Sequence, residues 1–186
     1  MNKIFVLFFF IFAEEKSFTL AETLPAGNYF EVIIDRIEVV QEVPGFSEWH
    51  LKVRKVNKTR QIFGYIELYI DFGNNLMVEY KCLKKQGGEY RYLPFSVPKQ
   101  PYCDYVKADT FFYPDLARDS DFPDQSNIEC PAGVKKGNYS VHGITLSLGQ
   151  IPRTFLHTGE YGVDKILYFN DEIVSHYKIY AYINSI

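Results

Sequence analysis

The sequence predicts an all-β fold, an antiparallel β-cup or two-sheet sandwich of about seven to nine strands. Three observations support this prediction. β-Branched and aromatic residues dominate, and aromatic residues alone make up 17% of the chain. Apolar and polar residues alternate in several short segments, and turn-forming residues separate these segments at hairpin spacing. The chain has 186 residues, which is enough for one domain with a sizeable core.

The first three predicted strands lie before residue 72. Residues 28–40 are β-branched and apolar and predict a strand with a break near residues 35–36. Residues 49–54 alternate between apolar and charged side chains, which predicts a half-buried strand. In the third strand, residues 61–71, we expect the even positions to face the interior. These positions are Ile62, Gly64, Ile66, Leu68 and Ile70.

Two turns divide the middle of the chain. Residues 73–75 (Gly-Asn-Asn) predict a hairpin turn into a strand over residues 76–83. Residues 86–88 (Gln-Gly-Gly) predict a second turn into a short aromatic strand, residues 90–97. On the strand over 76–83, we expect Leu76, Val78, Tyr80 and Cys82 on the inner face. Cys82 is therefore predicted to be a buried, inert thiol, and an intermolecular disulfide is the alternative.

An irregular acidic loop lies between Cys103 and Cys130, with one predicted helical turn near Ala108. Its aspartates lack the spacing, the turn glycine and the closing glutamate of a calcium-binding loop. We therefore expect a solvated acidic loop and no metal site. These aspartates are Asp115, Asp119, Asp121 and Asp124.

The chain ends in three further predicted strands. Residues 138–148 form the first, and a connection over 150–160 exposes Phe155 and Leu156. Residues 161–170 and 173–183 form a closing pair around the turn at Asn170 and Asp171.

The N-terminus has the features of a secretory signal. Residues 1–3 carry a positive charge, residues 4–12 are an unbroken apolar run, and Ala13 precedes charged residues. We predict a signal peptide over residues 1–13, with cleavage as late as residue 21, and a single domain over 28–186. A buried first strand is the alternative. Nine apolar residues are fewer than the roughly 20 that a membrane-spanning helix needs.

Secretion changes how the cysteines and asparagines are interpreted. If the chain is secreted, we expect Cys103 and Cys130 to form a disulfide, since closing a loop of this size is worth roughly 3 kcal/mol. The third cysteine, Cys82, then has no partner within the chain. Asn57 and Asn138 each begin a glycosylation sequon beside turn-like residues, so we predict surface glycosylation at both.

The composition and motifs argue against several functional classes. The net charge of −3 and the lack of a Lys/Arg run argue against nucleic-acid binding. The sequence has no Gly-x-Ser-x-Gly, no His-Glu-x-x-His and no phosphate-binding glycine loop. Its four histidines are scattered. We therefore predict a non-enzymatic protein with no cofactor, and a hydrolase with residues remote in sequence is the alternative.

The aromatic and aliphatic content is larger than a compact sandwich needs. These side chains either line a cavity for an apolar ligand or fill a closed core. Composition alone favours the filled core. If there is a cavity, inward aliphatic residues of the predicted strands would supply its contacts.

Five short segments, in this order, carry a resemblance to a known family. They are residues 102–104 (Tyr-Cys-Asp), 129–131 (Glu-Cys-Pro), 135–140 (Lys-Lys-Gly-Asn-Tyr-Ser), 152–161 (Pro-Arg-Thr-Phe-Leu-His-Thr-Gly-Glu-Tyr) and 177–183 (Tyr-Lys-Ile-Tyr-Ala-Tyr-Ile). Together they resemble the ganglioside GM2 activator protein, over residues 28–186. They are more similar still to its insect secreted relatives, the chemosensory B-type (DUF1091-like) proteins, which also match at residues 56–60.

The resemblance implies a β-cup that binds lipid in an apolar cavity without catalysis. It also implies a disulfide between Cys103 and Cys130, and an apolar loop at the cavity mouth that contains Phe155 and Leu156. The predicted ligand-binding residues are Ile66, Leu68, Ile70, Val78, Tyr80, Leu146, Phe155, Leu156 and Ile179.

The chain departs from the activator at its final strand. His176 stands where the activator has a cysteine, and no cysteine lies near residue 30. The insect branch, with fewer disulfides, fits better. We therefore predict a secreted, extracellular carrier for a lipid or long-chain hydrocarbon in chemosensory or pheromone response. Its expected partners are a hydrophobic small molecule, a membrane in transient contact, and an extracellular receptor. The alternatives are a protein-interaction module with a filled core, and a lipid-presenting activator for a glycolipid hydrolase.

Overall fold

The structure, a computed structural model, describes residues 30–110, 112–147 and 157–185. The described part contains eight strands, two short helices and one 3-10 turn. The strands are β1 (Phe30–Glu42), β2 (Ser47–Val56), β3 (Thr59–Leu68), β4 (Met77–Gln86), β5 (Glu89–Pro101), β6 (Gly137–Ile144), β7 (Gly159–Phe169) and β8 (Glu172–Ser185). The helices are α1 (Tyr102–Ala108) and α2 (Tyr113–Arg118), and the 3-10 turn is Gln125–Asn127.

The strands form two antiparallel sheets, which confirms the predicted all-β sandwich. The larger sheet has the order β1-β8-β7-β4-β5, and the smaller has the order β2-β3-β6. All the strand pairs are antiparallel. The inner faces of the two sheets share one apolar core, and the segment with α1 and α2 contributes further buried residues to it. The candidate functional site lies between the two sheets and beside the helices.

Local sequence signals predicted most of the strands correctly, and also the turns at residues 86–88 and 170–171. β1 has a register shift between Ile34 and Arg36, where the sequence predicted a break. On β3, Ile62, Ile66 and Leu68 are buried, which confirms the even-numbered face as the inner one. β7 and β8 pair around Asn170 and Asp171, whose positive φ angles of 50° and 66° suit a tight hairpin turn.

The predicted hairpin turn at residues 73–75 is wrong. β3 lies in the smaller sheet and β4 in the larger one, so this segment crosses between the sheets. It packs against residues 131–134: the Asn74 amide donates to the Pro131 carbonyl over 2.9 Å. A Cβ atom at Gly73 would lie 2.2 Å from that carbonyl oxygen, so only glycine fits there. Turn residues specify a change of direction, and the long-range packing decides which sheet receives the next strand.

The predicted short strand over 90–97 is also wrong in its length. β5 continues through Pro94 and Pro98 to Pro101, with two register irregularities against β4. β5 is the edge strand of the larger sheet, where the missing N–H of a proline costs little.

The loop between Cys103 and Cys130 is more ordered than predicted. It holds most of α1, all of α2 and the 3-10 turn, where one helical turn was expected. Asp115 is not solvated but 2% exposed, and it accepts hydrogen bonds from Ser147 and Arg118. A buried carboxylate is stable here because these donors replace its hydration. The structure thus corrects the solvated acidic loop at Asp115, although Asp121 and Asp124 are exposed.

Candidate functional site

A cavity lies between the inner faces of the two sheets and against the helical segment. The cavity volume is about 80 Å³, and the space between the walls is about 770 Å³ when the part open to solvent is included. The cavity is therefore small.

Three parts of the fold supply the walls, and all but two of the wall residues are apolar or aromatic. The exceptions are Asp109 and Lys165. Such a lining, with few polar groups, is typical of sites for apolar ligands. The smaller sheet contributes Trp49, Leu51, Ile62, Ile66 and Ile144; the larger sheet contributes Ile37, Tyr80, Val163, Lys165, Tyr177 and Ile179; the helical segment contributes Tyr102, Tyr105, Asp109, Phe112, Tyr113 and Leu116; Leu146 follows β6.

A disulfide holds the helical wall in place. Cys103, fully buried in α1, is bonded to Cys130, with their Cα atoms 5.7 Å apart. The predicted pairing is thus confirmed. The closed loop carries five of the wall residues, from Tyr105 to Leu116. The disulfide therefore restrains one whole side of the cavity.

Asp109 joins the two helices at the cavity wall. Its carboxylate accepts hydrogen bonds from the Tyr105 hydroxyl over 2.8 Å and from the Tyr113 amide over 2.8 Å. The Phe112 amide also donates to it. Asp109 is 7% exposed, so these donors replace water around a buried charge. No pattern in the sequence predicted that this carboxylate lines an apolar cavity.

Lys165 is the second charged residue of the wall. It lies in β7, is 6% exposed, and faces inward from a run of otherwise apolar positions. Its amine nitrogen lies 4.1 Å from the ring centre of Trp49 and 5.9 Å from that of Tyr102. Within the part of the chain that the structure describes, no acidic oxygen lies within the 4 Å ion-pair distance of this nitrogen.

Burial sets the protonation of the groups around the cavity. Desolvation lowers the pKa of Lys165 to about 7, against the opposing effect of the Asp109 carboxylate. Desolvation likewise raises the pKa of Tyr80 and Tyr105 far above the ordinary value. At neutral pH the cavity therefore holds neutral phenols and an amine that is only partly protonated.

Aromatic stacking holds the side chains around the Lys165 amine in place. The rings of Trp49 and Tyr177 stack with their centres 4.6 Å apart, and Tyr80 packs 4.9 Å from Tyr105. The Tyr177 hydroxyl donates to Glu42 at the edge of the sheet. These contacts link both sheets and α1, so the cavity walls are rigidly connected.

The predicted ligand-binding residues divide into three groups. Ile66, Tyr80, Leu146 and Ile179 line the cavity. A second group packs in the same core beside the cavity without lining it. Its members are Leu68, Ile70 and Val78. Phe155 and Leu156 lie outside the described residues, as does the predicted signal peptide.

Sequence reasoning missed Lys165, Trp49 and most of the helical wall. One signal was present: the phase of β7 places Lys165 on the same face as Val163 and Leu167. A charge at an inward position of a strand is rare enough to mark a functional candidate. The helical wall gave no comparable signal, because its segment has no clear period.

Cys82 lies on the inner face of β4, opposite Val163 of β7, but it is half-buried and not buried as predicted. Burial still raises the pKa of its thiol. We expect native protein at pH 7 to react with iodoacetamide at least about tenfold more slowly than protein unfolded in urea. Mass spectrometry of the labelled protein checks this rate. Equal rates in the two states would contradict the half-buried position.

Both predicted sequon asparagines are exposed. Asn57 lies in the turn between β2 and β3 with a φ of 55°, and Asn138 lies in β6. Among residues 30–110, 112–147 and 157–185, no cluster of three or more metal-ligating side chains occurs. No helix in these ranges is long and apolar enough to cross a membrane.

Comparison with known proteins finds a similarity to a family model over part of the chain. Residues 78–163 match the family described as a protein of unknown function, DUF1091. The match begins in β4 and ends in β7, so it includes the disulfide loop and the helical wall of the cavity. A comparison with curated proteins gives no significant match.

Proposed function

We propose that this protein is a secreted, non-enzymatic carrier for a hydrophobic ligand, a lipid or a long-chain hydrocarbon. The observation that carries the proposal is the lining of the cavity, whose wall residues other than Asp109 and Lys165 are all apolar or aromatic. Burying a methylene group is worth about 0.8 kcal/mol. A chain of about ten methylenes would give a gross −8 kcal/mol, which is micromolar affinity before ordering costs.

The biological setting follows from the resemblance. The similarity to the ganglioside GM2 activator and to the insect chemosensory B-type proteins supports a role in chemosensory or pheromone response. The DUF1091 match agrees with the second of these groups. In this proposal the apolar loop with Phe155 and Leu156 contacts the ligand or a membrane, and Asn57 and Asn138 carry glycans.

The competing proposal is a protein-interaction module with a filled core. The small cavity volume, about 80 Å³, favours it. A lipid-presenting activator for a glycolipid hydrolase is a further alternative, which the resemblance to the GM2 activator supports. We favour the carrier, because a filled core would not need to bury the Lys165 amine and the Asp109 carboxylate beside an apolar cavity.

A tryptophan that fills the cavity is expected to block ligand uptake. Ile179→Trp puts an indole into the cavity from β8, whereas Ile70→Trp adds the same volume at a half-buried core position outside it. We expect Ile179→Trp to weaken binding of the fluorescent apolar probe N-phenylnaphthylamine by at least about tenfold, a loss of 1.4 kcal/mol. Ile70→Trp should change it by less than about twofold. Titration of probe fluorescence measures both.

Native mass spectrometry with organic extraction, on protein secreted from insect cells, supplies the direct test. A co-purifying lipid or hydrocarbon would support the carrier. An apo mass, together with no uptake of the probe by wild-type protein, would favour the interaction module. Thermal unfolding of each tryptophan variant shows whether weaker binding reflects a blocked cavity or a lost fold.

A further inference from the structure

Lys165 breaks the pattern of the cavity without any visible structural benefit. It is an amine on an aromatic and aliphatic wall, 4.1 Å above the Trp49 ring. The cation–π contact offsets only part of the cost of removing an ammonium group from water. Departures of this kind from the rules of core packing are typical of functional positions.

Burial also changes the reactivity of this amine. Its lowered pKa leaves a substantial fraction neutral at pH 7, whereas an exposed lysine is almost fully protonated. A neutral lysine amine in an apolar pocket is a nucleophile toward carbonyl carbon. The amine lines an apolar cavity, so an apolar chain bound there with a carbonyl at its end would meet it.

Asp109 narrows the class of ligand. Its carboxylate lines the same cavity from the helical segment, held by the Tyr105 hydroxyl and by the amides of Phe112 and Tyr113. A carboxylate on the ligand would be repelled by the negative charge of Asp109 in this apolar space. A pure hydrocarbon would leave the amine without a partner. A neutral ligand with one electrophilic polar end satisfies both groups.

We propose that the cavity takes a long-chain aldehyde and holds it as an imine on the side-chain nitrogen of Lys165. This inference rests on the proposed carrier function and names its ligand class. The nitrogen lone pair forms a bond to the aldehyde carbon, and the carbonyl π pair moves to oxygen, which takes a proton from nitrogen. The second nitrogen proton and the hydroxyl then leave as water, and a carbon–nitrogen double bond remains. No oxidant or reductant is needed.

The cavity also suits the product. Water has little room in the apolar space around the imine, which slows its hydrolysis. If the imine nitrogen is protonated, the Asp109 carboxylate, which lines the same cavity, stabilises the positive charge. The bond is reversible, so capture and release follow the concentration of the aldehyde.

The test uses the full secreted protein with hexadecanal and sodium cyanoborohydride, which reduces an imine to a stable amine. We expect one rapid adduct, with the mass of the aldehyde less one oxygen atom, on the peptide that contains Lys165. It should form at least about tenfold faster than any adduct on the exposed Lys107. Lys165→Met should lose the rapid adduct and keep the slow ones. Lys107→Met, altered on the exposed face of α1, should keep the rapid one.

Displacement of N-phenylnaphthylamine by hexadecanol separates the two proposals. If hexadecanol and hexadecanal both displace the probe but adducts form only on exposed lysines, the imine is overturned and the carrier function stands. If neither displaces it, the carrier function fails and the imine fails with it. Displacement by both, with the rapid adduct on Lys165, supports both proposals.

Discussion

Replacement of the Cys103–Cys130 disulfide, as Cys103→Ala with Cys130→Ser, is expected to lower the free energy of unfolding by about 3–4 kcal/mol. The bond closes a loop with a sequence separation of 27 residues, and its removal restores that chain entropy to the unfolded state. Alanine suits the buried Cys103 and serine the exposed Cys130. A loss of this size is a large share of the roughly 5–15 kcal/mol that stabilises a typical domain.

The same variant should lose most of its ligand binding. The closed loop carries Tyr105, Asp109 and the wall residues of α2, so a looser loop opens one side of the cavity. Urea unfolding measures the stability, and titration with N-phenylnaphthylamine measures the binding. Cys82→Ala is the matched control, because it removes a half-buried thiol that is not disulfide-bonded, and should cost only about 1 kcal/mol. A double variant as stable as the wild type would contradict the expected role of the loop.

Lys165→Met is expected to stabilise the protein by about 3 kcal/mol at pH 7. Methionine has a similar length and needs no hydration, whereas the wild-type amine is buried with no acidic oxygen within 4 Å among the described residues. Lys107→Met, at an exposed position of α1, should change the stability by less than about 0.5 kcal/mol. Urea unfolding of the three proteins under identical conditions gives both differences.

The stabilisation should depend on pH in one direction. The folded-state pKa of Lys165, about 7, is below its unfolded value near 10.4. Below pH 7 both states bind the proton and the burial cost is complete. Between pH 7 and 10 the unfolded state binds more protons, so the wild type gains stability as the pH rises. The advantage of Lys165→Met should therefore shrink by about 2 kcal/mol between pH 7 and pH 9.

The other titratable groups of the cavity do not reverse this trend. Burial raises the pKa of Tyr80, Tyr102, Tyr105 and Tyr177, so these phenols stay protonated in the folded protein up to pH 9. A pH-independent advantage, or a destabilising effect of the substitution, would show that the amine has gained compensating partners.

The effect of Lys165 on stability and its proposed reactivity both result from the burial of its amine. The buried ammonium group of Lys165 lowers the stability of the folded protein. Formation of an imine removes this charge, and with it the cost of burying it. Aldehyde binding should therefore be stronger than binding of the alcohol of the same length. The comparison of hexadecanal with hexadecanol described above measures this difference directly.

Most of the strands, and the disulfide with the help of a family resemblance, could be predicted before the structure was known. Alternation with a period of two residues is a local property, so residues 49–54 and the even positions of β3 could be placed on a face without knowing their neighbours. The Asn170–Asp171 turn followed from residues that tolerate positive φ. The Cys103–Cys130 pair followed from cysteine use in secreted chains together with a family resemblance.

The pairing of the strands and the set of residues around the cavity could not be predicted from local patterns, because both depend on long-range packing. The crossing at residues 73–75 depends on packing against residues 131–134, almost sixty positions away, which no local signal contains. Phe155 and Leu156 lie outside the described residues, and their predicted role remains a prediction. The cavity combines side chains from both sheets and two helices, and Lys165 matters only because Trp49, Tyr102 and Asp109 lie around it. The sum of long-range contacts decides which side chains come together, and these contacts cannot be identified from a single sequence.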